Sequence, residues 1–347
     1  MKKYLASAAI VILSLVLCAS ANSEVDPLPN PVSNNAVASL KVHGQLTIFT
    51  FMGIGEKKSP DSITTDAYSI NASSGKVESI HSVPGTAGRI AAMAAAAAGR
   101  IFLFGGYIVY PGSGMAVPDV NVYDPEHDLW LRGSDIPIGL ADSVTGVYRD
   151  RYIYLLGGRT KGGPVADVYV YDVDKAKWSK ATSLPSAVFG HSGAILDDTI
   201  VYVNGAHKDA TTGYAASDEC WKGKIDHHDP AKIEWSKLPS HPGGARFRVA
   251  AGGSEKDDMI YFSGGTDNPY DYNGVGYDGK PAEPSPVTFA FNLRTSKWET
   301  LNEKTADPTM DQHSLVVTHD NLVIVGGMEA GQKVTGSISV IPKAGSK

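Results

Sequence analysis

The chain is short of cysteine, of helical periodicity and of positive charge. Of its 347 residues two are cysteine, Cys18 and Cys220, so a disulfide framework is excluded and burial must hold the fold. No apolar pattern of period 3.6 runs far enough for a substantial helix, which excludes helix bundles and alternating α/β architectures. The one long apolar run, Leu5–Leu17, is too short to cross a bilayer comfortably. Lysine and arginine number 31 against 37 aspartate and glutamate, a net charge of −6, which opposes nonspecific binding to nucleic acid or anionic lipid. Metal-ligand spacing is also missing. Glu303, Asp307 and Asp311, with His313 nearby, are of hard-cation type, but Pro308 breaks any helix that would bring them to one face. No metal and no other cofactor is expected.

Glycine and proline are plentiful, at 37 and 20, as in an all-β chain with many turns. Six apolar runs end on glycine: Ile48–Gly53, Ile101–Gly106, Ile153–Gly158, Ile200–Gly205, Ile260–Gly265 and Leu322–Gly327. Counted from Gly53, the first glycine of each later pair, and Asn204 where Asn-Gly replaces the pair, the intervals are 52, 52, 47, 60 and 62. Strands and glycine turns repeating at this length indicate a propeller or solenoid. An aromatic precedes tryptophan by seven residues three times, as Tyr123 and Trp130, Tyr171 and Trp178, Phe291 and Trp298. Leu-Pro or Ile-Pro then closes the unit at Ile136, Leu184 and Leu238. A small sheet of about four strands cannot bury both faces alone, so such units pack radially.

These offsets resemble the Kelch motif, and the resemblance spans nearly the whole chain after its leader. It implies a six-bladed Kelch β-propeller. The first unit is degenerate, with Gly53-Ile54 for Gly-Gly. The last lacks a strand, while Leu28-Pro29 looks like the end of a unit with no beginning. A strand over Asn22–Leu28 is therefore expected to complete the last blade and close the ring, removing an exposed edge. Ala91–Ala98 has helical propensity, but its place in the repeat predicts the innermost strand of blade two.

Lys2 and Lys3, the apolar run and Ala19-Ser20-Ala21 have the order of a secretory signal peptide. Two segments are expected: a leader over 1–21 and a propeller over 22–347, soluble, periplasmic or secreted, and not membrane-spanning. Loss of Lys2 and Lys3 leaves 29 basic against 37 acidic residues, a charge of −8. It also leaves Cys220 alone, read as a small buried side chain. Asn71-Ala72-Ser73 is a glycosylation sequon, meaningful in a eukaryotic source.

Loops on a rigid scaffold carry function. The loops after the glycine pairs and those between blades emerge on one face. The longest, Thr266–Pro286, sets Tyr270, Tyr272 and Tyr277 among Asp, Asn and Gly, a recognition composition. Arg89, Arg159, Lys161, Lys208, Arg246 and Arg248 gather on the same face and suit a carboxylate or phosphate. His227-His228-Asp229 falls on the opposite face.

Leader, six units and closure by the N-terminus together resemble the periplasmic N-acetylneuraminate epimerase (mutarotase) family. Arg89, the Tyr-rich loop of blade five and Ile233–Leu238 each have counterparts there. The resemblance implies interconversion of the α and β anomers of free sialic acid, with the glutamate of an Asn-Gly-Glu in blade four as proton acceptor. Here that string is Asn204-Gly205-Ala206, and Met310 stands where the family has arginine. Alanine moves no proton, so His207, Glu56 or Glu329 would have to act as acid or base. The leading reading is recognition on the loop face of a carbohydrate, an acidic glycan or a protein partner. Arg89, Arg159, Arg246 and Arg248 would hold an anion, and Tyr270, Tyr272 and Tyr277 would stack. A sugar mutarotase and an envelope scaffold are the alternatives.

Overall fold

Every run that ends on glycine forms the second strand of an antiparallel sheet. The computed structural model describes residues 25–85, 87–110 and 112–343. The sheets are the blades of a six-bladed all-β propeller. Blade three, with Val144–Tyr148, Tyr152–Leu156, Val168–Asp172 and Lys177–Ala181 in that order, shows the common plan. Its second strand is buried almost throughout and its fourth faces solvent. Residues 91–98 yield the strand Met93–Ala97, innermost in blade two. The innermost strands line an axial channel of about 280 Å³, where Ala94–Ala96, Gly146, Gly193 and Gly252 relieve crowding.

The aromatic spacing has a mechanical cause. Tyr123 and Trp130 sit opposite each other on adjacent strands, as do Tyr171 and Trp178, and Phe291 and Trp298. Their rings lie 4.7–4.9 Å apart. Each indole N–H reaches back to the blade before it: Trp130 to the His81 carbonyl at 2.8 Å, Trp178 to Ser134 at 3.0 Å, Trp298 to Pro239 at 2.8 Å. The tryptophan is thus both core and inter-blade link.

A ring of backbone hydrogen bonds encircles the axis at the loop face. Asn34, Ala91, Asp142, Gly190, Arg248 and Asp311, one per blade, have φ between 48° and 70°. Asn34 N–H donates to Asp311 at 3.2 Å, Ala91 to Asn34 at 3.3 Å, and Asp142 to Ala91 at 3.0 Å. Gly190 donates to Asp142 at 3.0 Å and Arg248 to Gly190 at 2.8 Å. Gln312 closes the circle on Arg248 at 3.2 Å. The residue before each ring member bridges to the residue following its glycine pair, as Phe189 does to Ala206 and Met310 to Met328. In blade one that bridge joins Ser33 to Ile54. The left-handed pair there is Met52-Gly53, with φ of 55° and 112°, and not Gly53-Ile54 as the sequence suggests.

Three side chains of the ring share one buried ion network. Arg248 is 2 % exposed. It donates to both Asp142 oxygens, at 2.9 and 2.8 Å, to Asp311 at 2.8 Å and to the Asp271 carbonyl at 2.9 Å. Asp311 also accepts from Asn34 at 2.9 Å and from the Ser33 hydroxyl.

Blade six has three strands among the described residues. The expected closing strand over 22–28 begins outside them, as does the leader over 1–21. Where the chain becomes described, Asp26 N–H donates to Gly75 and Leu28 N–H to Gly336. Thr182 and Leu184 make the matching pair of bonds at the end of blade three.

Removing Arg248 would strand two buried carboxylates. Arg248→Met is expected to cost on the order of 3–5 kcal/mol, read as a lower urea midpoint. An unchanged midpoint would refute the network's role. Acid should act similarly. Burial drives His191 down to about 3 and His241 to about 4, and lowers His313, from an ordinary value of 6.5. The unfolded chain then binds protons that the folded one refuses, so this stability is full above pH 6.5 and is lost as pH falls toward 4. Burial pushes Asp142 up, but Arg248 outweighs it and the carboxyl lies below 3.8, which adds a further loss below that pH. A flat unfolding midpoint between pH 7 and 4 would contradict this account.

Candidate functional site

Short hairpins rise from the glycine pairs on the loop face: Tyr107–Tyr110 with Ser113–Ala116, Arg159–Thr160 with Gly163–Pro164, and Ala206–Asp209 with Gly213–Ala216. Strand alternation sends neighbouring residues to opposite sides. Ala206 is fully buried toward the axis while His207 is exposed. His207 lines a side groove with Asn204 and Glu219.

Over blades four to six the mouth is filled. Phe189, Ala206, Phe247, Tyr270, Ala282, Met310, Met328 and Val334 form one buried apolar cluster. The blade-five loop is folded into it, and Tyr270, fully buried, meets Phe247 edge-on at 5.7 Å. The two positions where the epimerase resemblance calls for glutamate and arginine are therefore core positions.

Arg159 is the focus of what remains open. Its Nη1 donates to the Tyr277 hydroxyl at 2.9 Å and to Asp271 at 3.3 Å. The guanidinium carbon lies 5.3–5.9 Å from the rings of Phe189, Tyr214 and Tyr107, within cation–π range. Tyr214 and Tyr277 touch at 4.8 Å between ring centroids. Burial pulls the Arg159 value down, but Tyr277 and Asp271 outweigh it and leave it raised. Burial pushes the Tyr277 hydroxyl up to about 12. Both groups keep their protons at neutral pH, so Arg159 is a fixed cation with aromatic neighbours from the loops of blades two, four and five. About a fifth of its side chain, 19 %, is open to solvent.

The other expected residues are dispersed. Arg89 is buried and bound to Asn121 at 2.6 Å and to the Asp119 carbonyl. Arg248 belongs to the ion network under Tyr270. Arg246 is half-buried, bonded through Nη1 to Ala245, with its Nε partnerless among the described residues. Tyr272 is half-buried and Glu56 exposed, and Glu329 pairs with Lys333 at 3.2 Å. Cys220 is fully buried, and burial pushes its thiol up to about 12. No group of three or more metal-ligating side chains occurs among the described residues. Sequence reading missed Tyr107, Tyr214 and Asp271. One signal was available: Tyr107, like Arg159 and Ala206, directly follows a glycine pair, and that position meets the mouth in every blade.

Residues 143–185 match the Kelch motif. A stretch of 141 residues, 40 % of this chain, is 34 % identical to the Kelch-like protein terF of Aspergillus terreus. The match spans only 28 % of that protein's length. The solved structure titled "Structure of YjhT" superposes with a TM-score of 0.73 over 93 % of this chain and 98 % of its own, at 19 % identity. The likeness is one of fold.

A carboxylate at 206 would enter the apolar cluster unpaired. Ala206→Glu is expected to destabilise the chain by roughly 3 kcal/mol or more, while His207→Glu, on the exposed side of the same hairpin, changes the unfolding free energy measured in urea by no more than about 0.5 kcal/mol. Equal effects of the two would show that the mouth is not packed as described.

Proposed function

We propose that this propeller acts outside the cytoplasm, after loss of its leader, and recognises an acidic carbohydrate on its loop face. Arg159 is the anion receptor, and Tyr107, Tyr214 and Tyr277 form the flanking surface. The observation that carries this reading is the convergence of separate blade loops on one partly open guanidinium. A sugar acid offers a carboxylate to the cation and C–H faces to the rings, and both terms are strong at a half-desolvated surface. Arg246 and Tyr272, half-buried on the same face, are available to extend the contact. Turnover is disfavoured because Ala206 and Met310 carry no titratable group and are fully buried. A scaffold that contacts envelope proteins would use the same loops.

A glycan array probed with residues 22–347, followed by titration of the best ligand, tests this. The expected result is saturable binding to carboxylate-bearing glycans, weakened about tenfold or more in Arg159→Gln. Preference for neutral glycans, or indifference to Arg159→Gln, would sink it. Proton NMR of N-acetylneuraminate anomer exchange decides the enzyme reading, since acceleration by catalytic amounts of protein would replace recognition with mutarotation. Capture of a protein partner without glycan binding would favour the scaffold.

A further inference from the structure

Blade four departs most from its repeat, and its departures gather around one groove. A cavity of about 470 Å³ beside this blade is lined by Tyr202, Asn204, His207, Ser217, Asp218 and Glu219. It is distinct from the Arg159 cluster, which lies toward the axis on the other side of the Ala206–Asp209 hairpin.

Two buried polar atoms of this lining have no partner among the described residues. They are the Tyr202 hydroxyl and Asn204 Nδ2, on residues each 2 % exposed. The orientation of the Asn204 amide follows from a relay. Gly243 N–H donates to His241 Nδ1 at 2.9 Å, so the ring proton sits on Nε2. Nε2 then donates to Asn204 Oδ1 at 2.6 Å. The amide cannot flip without breaking that bond, and its NH₂ is left as an unused donor on a cavity-lining residue. Asn204 also holds a left-handed backbone position, φ 64°, that glycine occupies in blades two, three, five and six. A side chain is retained where a glycine would be less strained.

The rest of the groove is complementary. Glu219 accepts from Lys237 at 2.7 Å and Trp221 at 3.3 Å, and Asp218 accepts from Ser240 at 3.1 Å. Small residues, among them Ala187, Val188 and Ala245, make the walls. Fixed donors and fixed carboxylate acceptors in one groove demand a ligand that accepts and donates at neighbouring atoms. Hydroxyl groups do both. Two carboxylates in the lining oppose an anion.

We propose that this groove binds a neutral polyhydroxylated small molecule of monosaccharide or polyol chemistry, with Asn204 Nδ2 and the Tyr202 hydroxyl as its buried anchors. The hydroxyls of the ligand satisfy those two groups and bond outward to Asp218 and Glu219. His207 stands at the rim.

The test is ligand-observed NMR titration of residues 22–347 with D-glucose, D-galactose, myo-inositol and, as the anionic control, D-glucuronate. At least one neutral probe should bind saturably and better than glucuronate. Tyr202→Phe, which keeps the ring packing, should weaken it about tenfold with no fall in the unfolding midpoint, and Asn204→Gly, which restores the residue of blades two, three, five and six but also takes the acceptor from His241, should weaken it by at least as much. Ser217→Trp fills the groove from a half-buried lining position and should abolish binding even if the other two variants misfold. The proposal falls if no neutral probe saturates, if glucuronate is preferred, or if binding survives Ser217→Trp. Loss of binding in Arg159→Gln would place the sugar at the axial cluster and overturn this site, while an unchanged Arg159→Gln titration leaves the two sites separately testable.

Discussion

The structure depends on a closed circle of backbone hydrogen bonds around the axis. Six residues, one per blade, adopt a left-handed conformation, and five of their amides, with that of Gln312 in blade six, reach the carbonyl of the blade before. Only one of the six is glycine, Gly190. At the others the strain, of order 1 kcal/mol for each non-glycine residue, must be offset by the circle itself and by what the side chains do there. Asn34, Asp142, Arg248 and Asp311 answer with side-chain bonds across the axis. The ion network therefore belongs to the ring and is the reason that polar residues occupy positions where the chain would otherwise want glycine. It also fixes blades one, three, five and six relative to one another, so the loops they carry start from fixed points.

Much of the fold was legible because the constraints recur. A feature that must appear six times at one spacing survives degeneracy in one or two copies. The glycine-terminated strands, the cross-strand Tyr and Trp pairs and the inner strand at Met93–Ala97 were all readable from offsets alone. Blade one misled by one residue because Met52 takes the left-handed position that glycine holds in blades two, three, five and six. Composition cannot report that, since the surrounding bridge between Ser33 and Ile54 imposes it.

The site was less legible, for a geometric reason. Membership of the loop face can be read from topology, but depth below it cannot. Arg159 and Arg248 look alike as sequence, each a basic residue beside a turn. One follows a glycine pair and rises into a hairpin, while the other is a ring member whose side chain lies under Tyr270. The tyrosines of the blade-five loop divide in the same way: Tyr270 is core and Tyr277 is half-buried against Arg159. A residue's offset from its glycine pair distinguishes the cases once the ring is known.

Blade four shows how the repeat bends to chemistry. Its third and fourth strands have lost the Tyr–Trp pairing: Trp235 faces Gly223, and its ring meets Tyr202 of the second strand at 5.6 Å. That contact holds the Tyr202 ring in place while its hydroxyl, in the same groove as Asn204, has no partner among the described residues. Local conflicts of this kind, an asparagine in a glycine position and two buried polar groups without partners, are costly unless something satisfies them. The same hairpin that buries Ala206 on its axial side presents His207 to the groove. Alternation along one short strand thus separates a packed axial mouth from a polar lateral groove. The first is filled with apolar side chains, and the second is lined with fixed donors and acceptors.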